Sequence, residues 1–296
     1  MYNIDFVIFA FKKKIYLIKI TKILTPIFVI LLCITSASAQ NWKKHGKVTH
    51  EIGFLTGAAF FSTDYGQRFE IKSSGGGNVG FGVGIMHYLT FADYRYRWNQ
   101  RTNYFRDHFR FRNELSYFNA TLDHFGIYVD ESQTSVEADK LRGMHGKTQV
   151  INFGTQLEYH FVNITDFGSR RNPHLILSPY ISFGMMGVYS MPSLSSDFGD
   201  GDWEADQSIL YEKWAVPGAV DMSNRFVFSI TASAGTRLKL GEYSDVFFEA
   251  KWQYYFSDWV DGLNATQPTS GNPGGPNNFF NDWSLFANIG YVFYLN

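Results

Sequence analysis

The chain has 296 residues, 18% of them aromatic and 18% charged, with 26 Lys+Arg against 27 Asp+Glu. The balance of charge excludes bulk attraction to nucleic acid, and high aromatic with low charged content points to an outer surface that meets something other than water. The single cysteine, Cys33, excludes a disulfide framework.

In chain order, Lys12, Lys13, Lys14, Lys19 and Lys22 precede an apolar run, Ile23 to Ile34. That run has the length of a signal-peptide core and is too short to span a bilayer. "SASAQ" then supplies Ala37 and Ala39 at the small-residue positions, which predicts cleavage between Ala39 and Gln40. Residues 1–39 read as a signal peptide and 40–296 as a single domain. Cys33 goes with the signal, so the exported chain has no thiol. Beyond residue 40 no apolar run approaches the length of a membrane helix.

From there the pattern is alternation with period two. "EIGFLTGAAF" puts Ile52, Phe54, Ala58 and Phe60 on one face. "NVGFGVGIMHYL" sets Val79, Phe81, Val83 and Ile85 against Gly80, Gly82 and Gly84. "FRFRNELSYF" opposes Phe109, Phe111, Leu115 and Tyr117 to Arg110, Arg112, Glu114 and Ser116. "INFGTQLEYHF" opposes Ile151, Phe153, Leu157, Tyr159 and Phe161 to Asn152, Gly154, Gln156, Glu158 and His160. "SPYISFGMM", "RFVFSITASAGTRL", "VFFEAKWQYYF" and "DWSLFANIGYVFYL" continue in kind, placing Arg237, Glu249 and Lys251 on polar faces. Each of these eight segments is long enough for a tilted membrane strand.

Glycine weakens a strand interior. In a soluble sandwich, glycines on the polar, solvent-facing side would serve little purpose. In a small closed barrel that side is the lumen, where glycine relieves crowding, and the apolar side meets lipid. The expected fold is therefore all-β, an eight-stranded antiparallel up-and-down transmembrane β-barrel with nearly pure apolar outer faces. Tyr88, Phe91, Tyr159, Phe161, Tyr254, Tyr255, Phe256, Trp259, Trp283, Tyr291 and Tyr294 are expected in interfacial girdles. Long connections at 65–77, 123–147, 189–224 and 257–281 alternate with shorter ones, as outer loops do with periplasmic turns. The stretch between strands two and three is the exception.

Near the C-terminus, Asn288, Gly290, Phe293 and Leu295 look like the signal read by the outer-membrane barrel-assembly machinery. With "HEIGFLTGAAFF", "TQLEYHF", "SPYISFGMM", "FSDWVDGLN" and "NDWSLFANIGYVFYL", the chain resembles the PorG-like family of small outer-membrane barrels of Bacteroidota, which is associated with the type IX secretion system. The resemblance covers most of the mature chain. It implies an eight-stranded barrel, a multi-pass outer-membrane location with both termini periplasmic, and a link to a periplasmic secretion-ring or envelope protein. The segment "YRYRWNQRTNYFRDHFRFR" and the loop 190–224 depart from the family pattern and point to a paralogue.

Candidate sites follow from facing. Arg112, Glu114, Glu158, His160, Arg237, Glu249 and Lys251 share the lumen side and read as an ion-pair network rather than a catalytic set, since no nucleophile with a base and an orienting group is visible. Asp197, Asp200, Asp202 and Glu204 offer hard oxygen ligands for calcium, but lack the calcium-loop spacing; a solvated acidic loop is the plainer reading. Arg95, Arg97, Trp98, Arg101 and Tyr104 have the Arg/aromatic composition of interface anchors, and read as a periplasmic partner contact or a headgroup contact. Part of that stretch reads equally as an extension of strands two and three. No cofactor is expected. The partners expected are outer-membrane lipid, the assembly machinery, and an envelope or secretion-ring protein, with no nucleic acid. The expected function is a non-enzymatic envelope anchor, with a small-ligand or lipid-handling barrel as the alternative.

Overall fold

Eight antiparallel strands run in sequence order, and β1 pairs with β8 to close the sheet. They are β1 (Thr49–Ser62), β2 (Val79–Thr90), β3 (Phe109–Asp123), β4 (Met144–His160), β5 (Leu177–Ser196), β6 (Arg225–Gly241), β7 (Ser244–Tyr255) and β8 (Trp283–Leu295). The structure is a computed structural model that describes residues 48–66, 78–91, 103–167, 174, 176–264 and 281–295. All of these fall in one unit, Val48–Asn296. The signal segment with Ala39 and Gln40 lies outside the described residues, as do Arg95, Arg97, Trp98 and Arg101.

Strand register fixes the barrel's geometry. Directly paired residues lead from Glu51 through Tyr88, Arg112, Gln156, Gly184, Thr231, Gln253 and Ser284, and return to β1 at Phe61, ten residues further along. A stagger of this size tilts the strands by roughly 35–45° and leaves an interior that side chains can fill.

Facing follows the alternation. Phe54, Phe81, Phe183 and Phe228 are 52–61% exposed on the outside, whereas Arg112 and Lys251 are fully buried inside. A water-soluble protein would invert this, so the outer face is built for lipid. Among the described residues no helix is long and apolar enough to cross a membrane.

The glycines of β2 face inward. A Cβ on Gly82 would come within 2.6 Å of both Phe118 Cδ1 and Phe286 Cε2, and one on Gly290 within 2.1 Å of Phe247 Cε1. Inward glycine is what lets large rings cross the lumen.

The structure departs from the sequence reading in several places. Tyr88, Tyr255 and Tyr294 point inward instead of joining a girdle: Tyr88 lies under the Arg237 guanidinium at 4.2 Å, Tyr255 bonds Ser284 at 2.9 Å, and Tyr294 donates to Asp245. Each has the parity of the polar face of its strand. The β4–β5 hairpin continues to Met144 and Ser196, so the loops on either side are shorter than expected. Its upper part is polar on the outer face (Lys147, Gln149, Ser193, Ser195) while Met144, Val150 and Leu194 face inward, which reverses the alternation seen in the lipid-facing part. Two short helices occupy connections, α1 (Tyr104–His108) before β3 and α2 (Val136–Gly143) before β4. Finally, His50, His87, Asn113 and Thr155 form a hydrogen-bonded polar track on the outside, so the outer face is not purely apolar.

Candidate functional site

The barrel interior is the most densely built region. Its lower layer, at the end carrying Thr49 and Leu295, centres on Glu51. Arg110 Nη1 reaches both Glu51 carboxylate oxygens, at 3.0 and 2.9 Å; Arg237 Nη1 adds a bond at 2.8 Å and Thr90 one at 3.0 Å. Arg237 also pairs with Glu158 at 3.4 Å and Asp245 at 3.7 Å, and Lys239 meets Asp245 at 3.2 Å. His160 bonds Ser178 and the Glu158 carboxylate, at 2.9 and 3.3 Å.

The middle layer centres on Arg112. Its Nη1 lies 2.5 Å from Glu249 and 3.1 Å from Glu158, while Nη2 donates to Gln156. Tyr180 and Ser233 donate to the same Glu249 oxygen, at 3.0 and 2.8 Å. Above this, Lys251 pairs with Glu114, which also accepts from Ser116 and Gln156. The rings of Phe118 and Phe286 flank the ammonium at about 5.5 and 5.4 Å, a placement that favours a desolvated cation.

All seven predicted lumen residues therefore meet in one network. Sequence reasoning missed Glu51, Arg110 and Asp245 as members. Parity was the available signal: Glu51 alternates with Ile52, and Asp245 with Val246. Among the described residues, Arg110, Arg112, Arg237, Lys251 and rim Lys239 face Glu51, Glu114, Glu158, Glu249 and Asp245, so the interior is charge-balanced. Balance is what a dry ionic core requires, because an uncompensated buried charge costs several kcal/mol.

Both ends are covered. At the lower end Phe167, beside Lys239, is buried, and Ile164 N–H bonds the Asp107 carbonyl at 2.8 Å. At the loop end Tyr65, Leu210, Trp214, Val260 and Leu263 are buried as a plug. The "SDWVDGLN" and "NDW" segments pin it. Asp282 accepts from the Val260 amide at 2.9 Å, and Asp261 from the Leu263 and Asp64 amides at 2.9 and 3.0 Å. Leu263 bridges to Val220 of the neighbouring loop. Burial, with the facing Asp64 carboxylate, pushes Asp261 up to about 7. Burial and the Asp261 and Asp258 charges hold Asp282 well above the usual carboxylate range.

The acidic loop residues do not converge. Asp197 turns to His145 at 3.4 Å, Asp200 accepts from the Asp202 amide, and Asp202 from the Ala205 amide. Glu204 is exposed, and no metal-ligating cluster occurs among the described residues. Tyr104, the described member of the Arg/aromatic segment, is 61% exposed and shares a hydroxyl–hydroxyl bond of 2.6 Å with Tyr159. Asn288 and Gly290 face the lumen, where Asn288 donates to Glu249 at 3.4 Å, whereas Phe293 and Leu295 face outward.

No family model matches the chain, and no curated protein matches it. Among solved structures it is similar to Neisserial surface protein A, at 11% identity and a TM-score of 0.39, covering 82% of this chain and 96% of that one. It is similar to a major outer membrane protein of Thermus thermophilus, at 12% identity and a TM-score of 0.41, covering 83% and 99%. OprG of Pseudomonas aeruginosa is similar at 13% identity and a TM-score of 0.38, covering 84% and 98%. The likeness is one of strand architecture and carries no ligand or partner.

Proposed function

We propose that this protein is a closed outer-membrane barrel that serves as an envelope anchor, with both termini periplasmic, working through its surfaces rather than through its lumen. One observation carries the reading: the interior is filled by a balanced ionic network beneath a pinned plug, with no room for even a methyl group at Gly82. Such an interior neither conducts nor holds a ligand, and its carboxylates are engaged in pairing rather than catalysis.

The PorG-like resemblance supports the finer reading, an accessory subunit of a type IX secretion system. The stretch around Arg95, Arg97, Trp98, Arg101 and Tyr104 is then the docking segment, because a specific interface buries about 800 Å² per partner and the β2–β3 connection, 91–108, is longer than the β4–β5 connection, 161–176, or the two-residue β6–β7 turn at the same end. Crosslinking with mass spectrometry on intact envelopes tests this. Replacing Arg97, Trp98 and Arg101 by Ala is expected to abolish co-purification of a periplasmic partner while the barrel folds. Neutralising Asp197, Asp200 and Asp202 is expected to leave it intact. The opposite pattern refutes the docking assignment, and recovery of no partner with the unaltered chain favours the ligand-handling alternative.

A further inference from the structure

The outer face of a membrane barrel is the last place where a polar side chain is expected, since nothing in hydrocarbon satisfies it. Yet four lie together there, on four adjacent strands. Thr155 bonds the Asn113 amide at 2.7 Å, Asn113 approaches His87 Nδ1 at 3.5 Å, and His87 Nε2 lies 2.8 Å from His50 Nδ1. His87 pairs across the sheet with Ile52 and with Asn113, which itself pairs with Thr155. Apolar rows flank the track on both sides, Ile85, Leu115 and Phe153 above, and Leu89, Phe111 and Leu157 below.

The imidazoles meet in a specific way. Their centroids are 5.1 Å apart and their planes 18° from parallel. The centroid separation exceeds the 2.8 Å nitrogen separation by about two full ring radii, the most that any arrangement of the two rings allows. The two nitrogens therefore point straight at each other, with a single proton between them.

We infer that this head-to-head pair is a binding site for copper in its monovalent state. Two neutral nitrogens in line are a complete ligand set for copper(I), which accepts linear two-coordination, whereas zinc demands four ligands and, among the described residues, the rows flanking the track supply only hydrocarbon. A single positive charge also costs less to place near lipid than a double one. The ion sits where the proton was. Metal–imidazole bonds of about 2 Å require the nitrogens to part from 2.8 Å to roughly twice that bond length, which two side chains on an outer surface can do by rotation.

The proton balance closes within the track. His87 gives up its Nε2 proton and takes one at Nδ1, so no proton is released overall. Asn113 then turns its carbonyl towards His87 and its NH₂ towards the Thr155 oxygen. The amide flip exchanges its oxygen and nitrogen and reverses the hydrogen-bond direction, so Asn113 and Thr155 are positioning residues that fix the His87 tautomer.

The test is a copper(I) titration of the folded protein in detergent micelles, under ascorbate, against the chromophoric chelator bicinchoninate. One equivalent is expected to bind, with X-ray absorption showing two nitrogen neighbours. His50→Phe and His87→Phe, both suited to a lipid-facing site, are each expected to weaken binding at least tenfold while the unheated protein keeps its folded gel mobility. Thr155→Val is expected to weaken it less than either. Unchanged binding in both histidine variants, no binding by the unaltered protein, or tighter binding of zinc than of copper(I) overturns the inference.

Discussion

Glu51→Ala is the sharpest probe of the ionic interior. The carboxylate takes two bonds from Arg110 and one from Arg237, all within 3.0 Å, and a fourth from Thr90. Charge-assisted bonds are worth about 1.5–3 kcal/mol each, but they do not add, because water fills part of the gap. Arg237 keeps Glu158 and Asp245, while Arg110 gives up two bonds. Breaking a buried pair from one side costs about 3–5 kcal/mol, and Glu51→Ala belongs at the upper end. Glu158→Ala belongs nearer 3 kcal/mol, since Arg112 retains Glu249 and Arg237 retains Glu51. Phe54→Leu, at a side chain 55% exposed to lipid, is expected to cost less than about 1 kcal/mol. The assay is urea unfolding in lipid vesicles, followed by tryptophan fluorescence and by the mobility difference between unheated and boiled samples. Equal shifts for Glu51→Ala and Phe54→Leu would refute the facing assignment, and a Glu51→Ala cost below about 1 kcal/mol would mean that the interior is wet.

Gly82→Ala should destabilise the barrel by about 1–3 kcal/mol through overpacking, and Phe118→Leu in the same chain should recover part of it, because the added Cβ meets that ring; failure of the pair to couple in double-mutant unfolding would count against the crossing-ring account. Asp261 holds its proton up to about pH 7 in the folded state, whereas an unfolded aspartate releases it near pH 4. Between those values the folded protein binds more protons, so its stability falls as pH rises through that window. Hydrogen exchange at 256–264 should therefore be slower at pH 5 than at pH 8, after correction for intrinsic rates, and Asp261→Asn should reduce the difference, Asp282 supplying the remainder.

Facing was the most legible property, because a side-chain period of two leaves one choice per strand. Arg112, Glu158 and Arg237 could be placed in the lumen from their neighbours alone, and the inward glycines of β2 followed from crowding. Parity applied evenly would also have delivered Glu51 and withdrawn Tyr88 from the girdle. What alternation could not reveal is height. His87 shares its parity with Val79 and Phe81, but only the stagger between strands brings it to His50 and Asn113. The upper β4–β5 hairpin was illegible for a different reason: clear of lipid, Lys147 and Ser193 face outward and the apolar side turns inward, so the pattern inverts along the strand. Nor does spacing alone show that Asp261 and Asp282 clasp a plug, since Asp261 takes the Asp64 amide from 197 residues away and Asp282 the Val260 amide from 22.

The interior ion pairs also set the order of events in assembly. Arg237 reaches Glu51 across 186 residues, while Arg112 to Glu249 and Lys251 to Glu114 each span 137. Among the described residues only the β3–β4 hairpin balances its inner charges, Arg110 and Arg112 against Glu114 and Glu158, and even there Arg110 reaches Glu51 of β1 and Arg112 reaches Glu249 of β7. A half-formed sheet therefore keeps its inner charges in water, and no intermediate can dry that face strand by strand. Desolvation waits for β1 to meet β8, so closure is a single late and cooperative step, slow in the way that distant pairings impose.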